Sequence, residues 1–179
     1  MMGQTKYIMS GGLAFDEEKD MKKLEKFALD GWIFDRFAFM GYHLRKAESQ
    51  ELQYSLDYRK DADSDYFAYF NEAGWKHEGT AENYIHIFSA PPGTPPIYTD
   101  RDSLVEKYSN EKSRMGKGAL IMLASTLSIM AALFVISYFS SLEGTVSTIM
   151  EILFVLSLIG LVFTFMPYLG YSYKLNKLK

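Results

Sequence analysis

The segment from Ala119 to Ser141, "ALIMLASTLSIMAALFVISYFSS", contains no charged residue. No other feature constrains the fold so strongly. At about 1.5 Å of rise per residue, a helix of this length spans a hydrocarbon core of about 30 Å. A second run, Val146 to Gly170, carries one charge, Glu151. Core helices of soluble proteins usually keep a polar face, and the first run has no ionic one. The two runs therefore predict transmembrane helices over about 119–141 and 146–169, closed into an antiparallel hairpin by "LEGT" (142–145). Lys107, Lys112, Arg114 and Lys117 precede the first, Lys174, Lys177 and Lys179 follow the second, and the connection has neither Lys nor Arg. The positive-inside rule places both termini in the cytoplasm of a multi-pass protein of the cell membrane. The start, "MMGQTKYIMSGG", lacks the apolar core of a cleavable signal.

The rest predicts a soluble domain over 1–98, a juxtamembrane helix or linker over 99–117, the hairpin within 118–170 and a basic tail over 171–179. "FDEEKDMKKLEKFALDG" reads as a helix: Asp16 caps it, acidic residues precede basic ones along the dipole, and Met21, Leu24 and Ala28 share one face. Gly31 then suits a left-handed terminus, with Trp32 packing back. After 43 residues the pattern returns, with a helix from about Ser64 to Ala73 capped by Asp63 or Ser64, an inward face of Tyr66, Phe67, Phe70 and Ala73, and the ending Gly74-Trp75. Each Gly-Trp precedes a hairpin, about 33–37 with 42–47 (bend at Gly41) and about 76–79 with 84–89 (bend at Glu82-Asn83). "LQYSLDYR" alternates as a further strand, and "KYIMSGG" adds one at the start. The expected fold is an α+β two-layer domain, ferredoxin-like or similar, with an antiparallel sheet and two helices, followed by the transmembrane hairpin.

These residues carry a resemblance. The helix ending in Gly-Trp, the strand "YSLDYR", the block "YFNEAGWKHEG…IFSA" and the segment "IYTDRDSLVEKY" together resemble the family called domain of unknown function 2812, over roughly Leu24 to Tyr108. The resemblance implies this fold and membrane layout, a Gram-positive bacterial setting and a PadR-like transcriptional regulator as partner. It implies no activity.

The residues themselves offer little chemistry. Asp61, Asp63, Asp65 and Glu72 match positions 1, 3, 5 and 12 of a calcium loop, but Tyr66 replaces the turn glycine; an acidic helix cap is the simpler reading. His43, His77 and His86 lie in no zinc motif, and no cysteine is present. His86 falls on the polar side of its alternating strand, and His43 and His86 occupy the same place in the two repeats. Asp57 and Arg59 share a strand face, either as a ligand-reading pair or as a surface ion pair. No nucleophile elbow, phosphate loop or dinucleotide motif occurs, so neither a catalytic residue nor a cofactor is expected, and the net charge of −3 argues against direct nucleic-acid binding. "APPGTPP" reads as a stiff turn, and Ser103 with Glu106 as a capping box. Glu151, one and a half turns from the outer loop, is either interfacial or functional. Ala124, Ser128, Ala131 and Ala132 offer small surfaces for helix packing, as in a homo-oligomer, and Pro167 a kink.

The reading is a non-enzymatic, membrane-anchored cytoplasmic interaction or sensor domain, with Asp57, Arg59, His43, His86, Trp32 and Trp75 as candidate ligand or partner contacts. The crowd of aromatic residues in a small domain leaves some on an open sheet face. The alternatives are an accessory or immunity subunit of a membrane transporter, using Glu151, and a small-ligand-binding domain.

Overall fold

Residues 4–139 and 145–178 are described by the computed structural model, and they divide into two units, 1–103 and 104–179. In the first unit a strand β1 (Thr5–Met9) leads through Ser10-Gly11-Gly12 into α1 (Leu13–Leu29). The helix starts one turn earlier than Asp16 would set it. Gly12 is the N-cap at φ 88°, and Asp16 sits at a kink (φ −120°, ψ 27°). The Ser10-Gly11-Gly12 turn is fastened from within the helix, because the buried Asp20 carboxylate accepts the Gly11 N–H (3.0 Å), the Ser10 hydroxyl and the Tyr42 hydroxyl (3.1 Å). Met21, Leu24 and Ala28 are buried along one face, as their spacing predicts.

Gly31 ends α1 at φ 74°, its N–H bonded to the Ala28 carbonyl at 3.0 Å. β2 (Trp32–Ala38) and β3 (Gly41–Lys46) follow as a hairpin. β4 (Gln53–Tyr58), α2 (Ser64–Glu72), β5 (Lys76–Ala81) and β6 (Ile85–Ala90) repeat the unit. Asp63 caps α2, Oδ1 accepting the Tyr66 N–H at 2.9 Å. Gly74 (φ 87°) closes it as a Schellman motif, Gly74 N–H to Asn71 O and Trp75 N–H to Phe70 O at 2.8 Å. Ala73, expected inward, is exposed because the helix ends at Glu72. The bend at Gly41 is also displaced: the turn is Phe39-Met40, with Met40 at φ 53°. Gly41 opens β3, where a Cβ would stand 2.2 Å from the Ile8 carbonyl oxygen.

The α+β class, the antiparallel pairing and the helix pair that follows are as the sequence predicts, while the single expected sheet is divided in two. The strand orders are β1-β3-β2 and β4-β6-β5, and every pairing is antiparallel. Each sheet is a split βαβ, with the last strand inserted between the two that the helix connects. Met21, Leu24 and Ala28 share one core with Ile8, Phe34, Tyr42 and Leu44 of the first sheet and Tyr54, Leu56 and Ile87 of the second; the sheets adjoin where β2 runs beside β5, and α1 packs against β2 and β4. On β6 the alternate residues Phe88 and Ala90 face the other way, onto Phe70 of α2. The two helices thus cover opposite faces of the second sheet, and the outer face of the first sheet carries no helix.

In the second unit α3 (Arg101–Phe139) and α4 (Thr145–Leu178) are both long and apolar enough to cross a membrane. They run antiparallel: a Cβ on Gly116 would lie 3.2 Å from Tyr168, one on Gly118 3.3 Å from Thr164, and one on Gly160 2.8 Å from Met122 Sδ. Glycine thus carries the close approach at these crossings. The turn expected at 142–145 lies outside the described residues apart from Thr145, as does Lys179 of the basic tail. α3 continues without a break from its polar start, and α4 passes through Pro167. Asp100 caps α3 in place of the expected Ser103, its Oδ1 accepting the Ser103 N–H at 2.7 Å.

Candidate functional site

The polar residues singled out in the sequence converge in part, on the α2 side of the second sheet. Asp57 of β4 is in register with His86 of β6, which is in register with Thr80 of β5. α2 lies over this row. The Asp57 carboxylate accepts the Tyr66 hydroxyl from α2 at 2.8 Å and the Tyr98 hydroxyl from the segment that leads into α3. Burial, and then the Asp57 charge, push both phenols well above the ordinary tyrosine range. Arg59 lies just past β4 with its side chain exposed, and its contribution is a carbonyl. The structure gives no ion pair between Asp57 and Arg59; the carboxylate holds two tyrosines instead.

His86 is 1% exposed, not solvated as its alternation suggested. Its Nε2 lies 2.8 Å from the Arg59 carbonyl, which can only accept, so that nitrogen carries the hydrogen. Nδ1 then accepts from Thr80 Oγ1 at 2.9 Å, and Thr80 accepts from His77 Nε2 at 3.0 Å. The His77 ring lies 4.4 Å from that of Phe67, tilted by 45°, and burial, reinforced by His86, lowers its pKa. Asp57 and His86 are thus each engaged within the fold, the carboxylate by two phenols and the imidazole at both ring nitrogens.

His43 and His86 are not copies of one position. The first hairpin turns in two residues, between Ala38 and Gly41, and the second in three, between Ala81 and Ile85. The extra residue shifts the second strand by one, and a shift of one reverses the facing of every side chain. His86 therefore stands where Tyr42 stands in the first repeat, under the helix, and His43 corresponds to Ile87. His43 lies on the outer face of the first sheet with its ring edge toward Tyr7, and its buried Nδ1 has no hydrogen-bond partner. A register count of the two turns was the signal that could have found this.

The tryptophans also differ. Trp75 is buried, and its Nε1 donates to the Pro95 carbonyl at 2.9 Å, pinning the "APPGTPP" turn against Phe70 and Phe88. Gln53 Nε2 holds the same turn through the Thr94 carbonyl at 2.7 Å. Trp32 is half-buried, with the ammonium groups of Lys46 and Lys6 at 5.0 and 5.5 Å from its ring. Of the acidic run, Asp63 is a helix cap and Asp61 accepts from Asn83, and no cluster of three metal-ligating side chains occurs among the described residues. Glu151 is exposed on α4, in the second unit.

Two features of the first unit stay open to solvent. A cleft of about 220 Å³ lies between the repeats, lined by Arg45, Gln50, Lys76, Glu78 and Ser89 among others. The larger feature is the open face of the first sheet. Tyr7 and Met9 of β1 are 47% and 60% exposed, His43 and Arg45 lie beside them on β3, and the Phe39-Met40 turn projects at one end with Phe39 85% exposed. The Tyr7 hydroxyl donates to the Phe39 and Met40 carbonyls at 3.1 and 3.2 Å, which fixes the turn against the strand. Sequence reasoning missed Tyr7, Met9 and Arg45, because only the layering shows which sheet face is left uncovered.

A duplicated split-βαβ domain followed by an antiparallel pair of long apolar helices defines a class: an α+β module joined to a helical hairpin. The chain belongs to the family described as protein of unknown function DUF2812, whose model matches residues 16–120, from the kink of α1 into α3. No curated protein and no solved structure matches the chain.

Proposed function

We propose that this protein is a membrane-anchored interaction module that works by binding a partner, not by catalysis, on the outer face of its first sheet. The observation that carries this reading is that face itself. In the second repeat the equivalent surface, Leu56 and Ile87, is covered by α1; in the first it presents Tyr7 and Met9 to solvent with His43 half-buried beside them. Exposed apolar surface rimmed by polar groups marks interaction sites. With Arg45 and His43 beside the apolar residues, and Arg36 next to them in an ion pair with Asp35, the fitting partner is an amphipathic helix with acidic flanks. Asp57 and His86, meanwhile, are engaged in bonds that fasten α2 and the Tyr98 segment.

Anchoring is supported by side chains of α3 and α4 that the protein does not bury: Leu120, Phe134, Ile152 and Phe163 are each more than half exposed. In water such helices would be unstable; in a bilayer they need no cover. The basic residues flanking both helices favour a hairpin whose two ends, with the sheet domain, face the cytoplasm. The partner would then be a cytoplasmic regulator held near the membrane, and a PadR-like regulator is the specific candidate.

A photo-cross-linking residue in place of Phe39 or Met9, in the full chain in native membranes, tests this. The expected product is a cross-link to an acidic helix of a DNA-binding regulator. Cross-links to transporter subunits alone, or none at either position, would refute the reading. A second reading, binding of a small polar ligand, is favoured by the cleft at Arg45, Lys76 and Glu78, and calorimetric titration of the full chain in detergent with small carboxylates and amines would test it.

A further inference from the structure

A furrow of about 500 Å³ runs between α3 and α4, lined by Gly116, Ala119 and Leu123 on one helix and Leu161, Phe165 and Tyr168 on the other, with Leu120 beside them. Specific sites for small molecules have volumes of this order, about 300–1,000 Å³. The spacing of these positions sets them on one face of each helix, over about 10 Å of axis. Gly116 and Ala119 create the space, since neither projects beyond Cβ. Leu120 and Phe165 stand 68% and 47% exposed along the rim, so the furrow opens sideways, toward lipid if the hairpin is inserted.

One end of the furrow is polar. Lys112 precedes Gly116 by one helical turn on the same face, and its Nζ lies 5.5 Å from the centre of the Tyr168 ring that lines the furrow. No carboxylate pairs with Lys112 among the described residues. Lys174 stands at the same end of the hairpin, 4.8 Å from the Tyr108 ring and 5.7 Å from that of Tyr171. An apolar slot ending in cations over tyrosine rings is complementary to an amphiphile with one anionic end.

We propose that this furrow binds one anionic glycerophospholipid, an acyl chain lying along Gly116, Ala119 and Phe165 and the phosphate meeting the Lys112 ammonium and the Tyr168 hydroxyl. Basic recesses between membrane helices at the cytoplasmic side take anionic headgroups in this way. A second copy of the hairpin suits the furrow less well, because an apolar helix seated there would cover the Lys112 ammonium with no counter-charge. The proposal rests on the reading that the hairpin lies in a bilayer.

The test uses the full chain in nanodiscs of equal phosphatidylglycerol and phosphatidylcholine, released into native mass spectrometry to count retained lipids. The wild type is expected to retain a single phosphatidylglycerol in preference to phosphatidylcholine. Lys112→Gln should reduce that preference about fivefold, the worth of one ammonium near a lipid surface. Lys112→Arg should keep it, and Ala119→Phe, which fills the slot, should lose retention of either lipid. Unchanged preference in Lys112→Gln would overturn the proposal, as would a lipid-free dimer cross-linked through Leu120. Alkaline carbonate extraction of native membranes separates the two failures. A chain released by carbonate refutes the membrane reading and this site with it; a chain retained that selects no phosphatidylglycerol refutes this site alone.

Discussion

The Asp57 carboxylate is the point where three separate parts of the chain are tied together. It sits on β4, receives the Tyr66 hydroxyl from α2, and receives the hydroxyl of Tyr98, three residues before α3. Asp57→Ala removes the acceptor of both phenols at once. A hydrogen bond to a charged group contributes about 1.5–3 kcal/mol, so two fully buried ones would give about 3–6 kcal/mol. Asp57 is half-buried, and solvent can satisfy part of what is lost, which brings the expected loss to about 2–4 kcal/mol. Urea unfolding of the full chain in detergent reads this directly, because both tryptophans, Trp32 and Trp75, lie in the sheet domain and none lies in the apolar helices. The same substitution in a Tyr66→Phe, Tyr98→Phe background should cost under about 1 kcal/mol, since the bonds are already gone. Hydrogen exchange should show α2 as the region released first. An equal loss in both backgrounds would mean that Asp57 stabilises the fold through something other than the two phenols.

Three further outcomes are expected. Burial first, and neighbouring carboxylates at Asp20 and Asp57 next, raise the pKa of Tyr42, Tyr66 and Tyr98 above that of the unfolded chain, so the folded state binds more protons. The urea midpoint should therefore hold steady up to about pH 10 and fall beyond it, less steeply in the Tyr66→Phe, Tyr98→Phe variant. His77 behaves oppositely: its pKa is lowered by burial, so its contribution is intact above about pH 6.5 and lost as pH falls below it. His77→Gln should flatten that acid limb, measured by the same midpoint between neutral and mildly acidic pH. Alanine at either helix-ending glycine should cost about 1 kcal/mol for its left-handed backbone, with Gly31→Ala the worse of the two by thermal unfolding. A Cβ at Gly31 would meet the Ala47 carbonyl oxygen at 2.7 Å, whereas one at Gly74 would meet only the Thr94 methyl, at 3.3 Å.

Several parts of this structure were legible in the order of residues alone. The two Gly-Trp helix endings, the inward face of α1, the cap at Asp63 and the existence of two long apolar helices all follow from signals close together in the chain, and such signals act before any distant part of the chain arrives. The face of a strand is a different kind of property. Whether His86 is buried and His43 half-open depends on one extra residue in a turn and on which sheet surface α1 and α2 come to cover. Likewise Asp57 reads as a surface carboxylate in "SLDYR", and becomes the clasp of two tyrosines only because Tyr66 and Tyr98, 9 and 41 residues away, are brought onto it. Local order thus fixes which elements form and divides the chain into a sheet domain and an apolar helix pair, while several ends, among them the start of α1 and the start of α3, fall elsewhere. Which surfaces are sealed and which stay open is settled when the layers pack, because burial belongs to layers in contact and no local pattern encodes what will lie on the far side of a sheet.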